Sequence, residues 1–171
     1  MHIEYFLLAM VAIAAITDLA QRKIPNVLIV WGLGTSLMLQ VFLPIHGSAW
    51  HWLSGCITGF ALFLPFYVVR GMGAGDVKLM AAVGSFAGPL LTFKIALATF
   101  IIGGILSLAV ALIKRNLRGT LSNVHRILRP SLFNSGPLNS SGNFAIQSTG
   151  RIPYGVAIAL GTITMLYFEK F

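Results

Sequence analysis

Residues 77–113 read VKLMAAVGSFAGPLLTFKIALATFIIGGILSLAVALI, an apolar run of 37 residues interrupted by two charges, Lys78 and Lys94. A helix rises about 1.5 Å per residue, so about 20 residues cross a hydrocarbon core of about 30 Å. The run is too long for one crossing and slightly short for two. Gly88-Pro89 supplies a turn near its middle, with Lys94 close behind. The expectation is a membrane hairpin of two helices, about Val77–Leu91 and Ile95–Ile113, the first of them short.

The same texture continues outward on both sides. Further apolar runs cover about Ile3–Leu19, Val27–Leu43, Trp52–Val69 and Pro153–Phe168. The fold class that follows is all-α, a polytopic membrane protein of about six transmembrane helices. Composition agrees: the 171 residues are 57% hydrophobic and 9% charged, with a mean hydropathy of +0.86. A soluble domain carries roughly a quarter charged residues, and a water-facing surface cannot absorb such an apolar excess. Soluble, disordered and fibrous classes are excluded, and residues 1–171 read as one membrane-embedded domain. The chain opens Met1-His2-Ile3-Glu4 without a basic leader, so the first run is expected to be retained as a helix. Cys56 stands alone, which removes internal disulfides and zinc tetrads; no role is assigned to it. His2, His46, His51 and His125 show no ligand spacing, and no metal or cofactor is expected.

Charge sets the orientation. Of the 12 Lys and Arg, ten fall in the first connection (Arg22, Lys23), the third (Arg70, Lys78) and the fifth (Lys114, Arg115, Arg118, Arg126, Arg129, Arg151). Lys94 and Lys170 lie on the other side. The positive-inside rule places these three connections in the cytoplasm and both termini outside it, in a multi-pass protein of the cytoplasmic (inner) membrane. The net charge of +8 is thereby explained by topology and anionic lipid, and no nucleic-acid partner is expected. The fifth connection, about 114–152, is by far the longest. Its first half, Arg118 to Phe133, fits an amphipathic helix on anionic lipid or a solvated basic loop equally well. Its second half, Asn134 to Gly150, is rich in Ser, Asn and Gly and reads as a flexible loop.

The chemistry narrows to two residues. The chain has two aspartates, Asp18 and Asp76, and two glutamates, Glu4 and Glu169, which lie near the termini. Asp18 falls in the last turn of the first helix and Asp76 opens the fourth, both at the cytoplasmic edge of the bilayer. Ionisable groups at that depth are costly and mark function by default. Asp18 is followed by Arg22, Lys23 and Ile24-Pro25-Asn26, where proline enforces a turn before the second span starts near Asn26. Asp76 ends Gly71-Met72-Gly73-Ala74-Gly75-Asp76, whose alternating glycines permit unusual backbone angles and close approach. Two carboxylates within a few ångströms share one proton and titrate as a unit. Such a pair can hold a water, take its proton as it attacks a peptide carbonyl, and support the departing amine.

With Ile152-Pro153-Tyr154-Gly155 near the last helix, these motifs resemble the type IV prepilin peptidases, GxGD aspartic proteases of the membrane. The resemblance runs in order from about Ile16 to the C-terminus. It implies that Asp18 and Asp76 are the catalytic pair, with Gly73, Gly75, Lys78, Pro25 and Asn26 binding substrate or supporting the backbone. It also implies a substrate, a prepilin or pseudopilin whose short basic leader is cut at the cytoplasmic face, after a glycine and just before a hydrophobic helix. Larger members carry a cysteine tetrad and N-methylate the product. With one cysteine, this chain is similar to the short, cleavage-only peptidases of Flp/Tad pilus systems, and methylation is not expected.

Plainer readings stand beside this one. Asp76 fits an N-terminal helix cap, and Asp18 fits an ion pair with Arg22 four residues on. Lys78, two residues from Asp76, fits a snorkelling contact to lipid phosphate. Gly55–Gly59 and Gly84–Gly88 are GxxxG patterns, suited to packing within the fold or to dimerisation. Trp50 and Trp52 suit an interfacial belt, whereas Trp31 lies within a span. Glycines 71–75 are expected to offer backbone donors to a substrate strand. The functional alternative is a small transporter or ion relay using the same two carboxylates, which would place them near the midplane.

Overall fold

The computed structural model describes residues 2–42, 49–69, 71–113 and 154–169. The chain divides into two compact units, Met1–Leu106 with Pro153–Phe171, and Ser107–Ile152. Of the second unit only residues 107–113, the end of a helix, are described. The expected amphipathic helix over Arg118–Phe133 and the Ser-rich loop that follows lie outside the described residues, as do Arg70 and Pro153.

Every element among the described residues is helical. They are α1 (His2–Gln21), α2 (Asn26–Phe42), α3 (Ala49–Val68), a 40-residue run Ala74–Ile113, and Tyr154–Glu169. The long run is not one helix. Gly88 has φ 76° and ψ 174°, which breaks it into α4 (74–87) and α5 (89–113) and makes the last helix α6. The hairpin is therefore tighter than the sequence implies: one residue turns the chain, and Leu90, Leu91 and Lys94 already belong to α5. The physical reason is Pro89, whose missing N–H costs nothing at the first position of a helix.

That turn orphans the Ser85 carbonyl, since Pro89 has no proton to give it. Gln40 Nε2 of α2 donates to the carbonyl instead, at 2.6 Å. Thr92 Oγ1 likewise donates to the carbonyl of Gly88. Ser36 and Ser85 share a hydrogen bond of 2.8 Å between hydroxyls, and Trp52 Nε1 donates to Ser36 Oγ at 2.8 Å. The half-buried Trp52 thus turns its indole N–H toward the bundle, while Trp50 and Trp31 face outward.

Contacts between helices fix their directions. Gly84 of α4 approaches Thr92 of α5, and Phe63 of α3 stacks on Phe100 of α5 with ring centroids 5.0 Å apart. Gly55 and Gly84 each meet the other's backbone, and Gly59 meets the Met80 carbonyl, so α3 and α4 run antiparallel in backbone contact. The two GxxxG patterns are spent on packing within the fold. Gly161 of α6 meets Thr99 of α5, and Gly103 meets Tyr154, which makes α5 and α6 antiparallel as well. The C-terminal end of α1 and the N-terminal ends of α2, α4 and α6 consequently gather at one end of the first unit.

Leu7, Val11, Phe63, Leu79, Met80, Ile95 and Ile158 fill the interior, alongside buried Ser36, Ser85, Thr92, Thr99 and Thr162. Trp31, Phe42 and Leu90 face outward, the last 81% exposed. An apolar exterior around a partly polar interior is the arrangement lipid favours, because hydrocarbon neither repels leucine nor solvates hydroxyls. Ile3–Gln21, Ala49–Val68 and Ala74–Val110 are long and apolar enough to cross a membrane, while Asn26–Phe42 and Tyr154–Glu169 are shorter apolar helices. Among the described residues the chain is an all-helical membrane protein.

Candidate active site

Asp18 is held by the last turn of α1. The helix closes with Arg22 in the left-handed region, φ 52°, its backbone N–H donating to the Asp18 carbonyl at 2.9 Å. The alternative ion pair between Asp18 and Arg22 does not form among the described residues. The Asp18 carboxylate turns instead into the bundle, where Oδ2 accepts a hydrogen bond of 2.8 Å from the backbone N–H of Gly155. Gly155 lies in the first turn of α6, so the carboxylate sits at the positive end of another helix. Glycine is required there: a Cβ on Gly155 would stand 2.8 Å from Asp18 Oδ2 and 3.0 Å from Asp18 Cβ.

Asp76 is held by its own helix. Its Oδ2 accepts from the backbone N–H of Gly73 at 3.0 Å, while its N–H donates to the Gly73 carbonyl at 3.1 Å. This is the reciprocal half of a capping box, in which an acidic side chain in the first turn reaches back to the residue before the helix. The capping role considered for Asp76 is thus real, and it leaves the second oxygen available. Asp18 and Asp76 are 7% and 9% exposed, and each lies within electrostatic reach of the other. Each carboxylate is anchored through Oδ2 to a backbone N–H, with Oδ1 holding no hydrogen-bond partner among the described residues.

The other residues singled out in the sequence surround this pair. Ile24 of the α1–α2 turn rests against Gly75, with its Cβ 3.4 Å from where a Cβ on Gly75 would lie. Pro25 accepts the N–H of Leu28 at 3.1 Å and starts α2. Lys78 Nζ donates to Asn26 Oδ1 at 3.2 Å, tying the start of α2 to α4 at an exposed position. Within Gly71–Gly75 two donors are engaged: the N–H of Gly71 binds the Phe66 carbonyl at 2.8 Å and that of Gly73 binds Asp76. The N–H groups of Met72, Ala74 and Gly75 have no partner among the described residues, the last two because they open a helix. The sequence motif Ile152-Pro153-Tyr154-Gly155 carries the only signal that Gly155 belongs to the site, since its partner Asp18 lies 137 residues away in the chain.

The arrangement is a pair of buried carboxylates at one end of a helical membrane unit, each pinned on one side and open on the other. Residues 5–108 match the sequence model of the type IV leader peptidase family, a stretch that includes both aspartates, the Ile24-Pro25-Asn26 turn and the GxGD motif. No curated protein and no solved structure matches the chain.

Proposed function

The chain belongs to the type IV leader peptidase family, and from that membership we propose that it is a membrane aspartic endopeptidase whose catalytic pair is Asp18 and Asp76. The observation that carries the pair is the matched anchoring of two buried carboxylates at one end of the helices. A water between the free oxygens attacks the scissile carbonyl, forming the C–O bond while the ionised carboxylate takes its proton. The protonated partner supports the carbonyl oxygen as it gains charge. Collapse of the intermediate breaks the C–N bond, and the amine leaves with a proton from the pair. The pair gains a proton from water on attack and gives one up to the leaving amine, so the cycle starts and ends with one shared proton and neither aspartate is assigned as acid or base alone.

The substrate in this reading is a prepilin or pseudopilin, a short basic leader followed by an apolar helix. Six crossings with both termini outside would put the aspartate end at the cytoplasmic face, where Arg22, Lys23 and Lys78 also lie. The leader is removed there without methylation of the product. The ion-relay alternative fits the geometry less well, because both carboxylates sit at one end rather than near mid-membrane.

Co-expression with a tagged prepilin tests the proposal, with leader removal scored by gel shift and N-terminal sequencing. Wild type should cut after the glycine, whereas Asp18→Asn and Asp76→Asn should each lose cleavage while accumulating normally in the membrane. Processing by either single variant would sink the dyad. A well-expressed wild type that leaves several such substrates intact would remove the substrate class and turn attention to ion flux in liposomes.

A further inference from the structure

Tyr154 is a polar side chain at the aspartate end that the mechanism above leaves unused. It opens α6 immediately before Gly155, whose N–H holds Asp18 Oδ2 at 2.8 Å. Its half-buried ring lies along α5, with Cε1 3.3 Å from the point a Cβ on Gly103 would occupy. Gly103 therefore provides the seat for the ring. Burial is the larger influence on the phenol, and the charge of Asp76 also reaches it. Residue 154 is thus chained to the anchor of one carboxylate and lies within the field of the other. Its hydroxyl has no hydrogen-bond partner among the described residues. Among the neighbouring donors, Gly73 N–H is held by Asp76, Gly155 N–H by Asp18 and one Lys78 proton by Asn26, while the N–H groups of Ala74 and Gly75 have no partner among the described residues.

We propose that Tyr154 is a third residue of the catalytic centre, its phenolic O–H donating a hydrogen bond to the scissile carbonyl oxygen as that oxygen gains negative charge. This rests on the peptidase reading. The phenol keeps its proton throughout, so the bonds made and broken in hydrolysis are unchanged. A donor aimed at charge that appears only in the transition state acts on kcat, and losing one such donor costs about 10²–10³ in rate. A phenol is weaker than a fixed pair of backbone donors and half-exposed here, which places the expected loss near the lower end or below it.

The test measures kcat and KM on a purified prepilin with the full-length enzyme in proteoliposomes. Y154F, which keeps the ring on Gly103 and removes only the hydroxyl, should lower kcat by about 10- to 100-fold and leave KM within about twofold. G103A crowds the ring by a few tenths of an ångström and should lower kcat by a smaller factor. In the Y154F background G103A should add little, because the donor it displaces is already gone. A Y154F enzyme with wild-type kcat, a change confined to KM, or additive losses in the double variant would overturn the assignment. Should Y154F fail to accumulate, G103A decides: lower kcat at unchanged KM supports the role, and unchanged kcat overturns it. Wild type that leaves the prepilin uncut is a failure of the peptidase reading, and is distinguished by that control.

Discussion

In the proposed centre Asp76 has two tasks for one carboxylate. Oδ2 closes the first turn of α4 on Gly73, and the other oxygen is left for the water. Loss of the negative charge in Asp76→Asn keeps an oxygen for the cap, so the helix start should survive what the chemistry does not. Asp18 has no such local partner and depends on Gly155. Gly155→Ala places a methyl 2.8 Å from Asp18 Oδ2 in a buried site, and the carboxylate must move. Turnover should fall by about tenfold or more, since a displacement of 1 Å at a reacting group costs on the order of 10² in rate. Membrane accumulation should stay near wild type, and an enzyme with unchanged kcat would show that the Asp18 anchor is dispensable. The two aspartates were legible in the sequence because acidic residues are rare in an apolar chain and both fall at helix ends. The Gly155 anchor was not, because a backbone N–H has no sequence signature and its partner is remote. The alternative Asp18–Arg22 pair is absent for a related reason: helical spacing presumes that the helix continues, and α1 closes at Arg22 with φ 52°.

At the scale of elements, the Gly88-Pro89 hairpin is the feature the sequence showed best and placed least well. Glycine and proline announced a turn, but only the structure reveals that one left-handed residue suffices. Gly88 also meets the His51 ring, so it is constrained both by its φ of 76° and by space. Gly88→Ala should destabilise the protein by about 1–3 kcal/mol, read as a lower unfolding midpoint in mixed micelles. An unchanged midpoint would mean that the turn relaxes without cost. The Gln40 contact to the Ser85 carbonyl repairs the hydrogen bond that Pro89 forfeits, and it was invisible beforehand because glutamine in an apolar helix names no partner. The GxxxG patterns were ambiguous between internal packing and dimerisation. The α3–α4 backbone contact at Gly55, Gly59 and Gly84 settles them inward.

For the whole molecule, helix content and membrane character followed from composition, since no water-soluble fold tolerates 57% hydrophobic residues with 9% charge. Direction of insertion is a separate claim and has its own test. In a C56S background, a cysteine at Arg22 should react with a membrane-impermeant thiol reagent from the cytoplasmic side only, and one at Trp50 from the opposite side only. The reverse pattern would invert the topology and place the aspartates on the wrong face for leader removal. A last consequence concerns time. Asp18 is synthesised early, while the amide that orients it arrives 137 residues later and is presented only when the final helix docks. A ribosome-bound intermediate lacking that helix would carry both acids yet no finished centre.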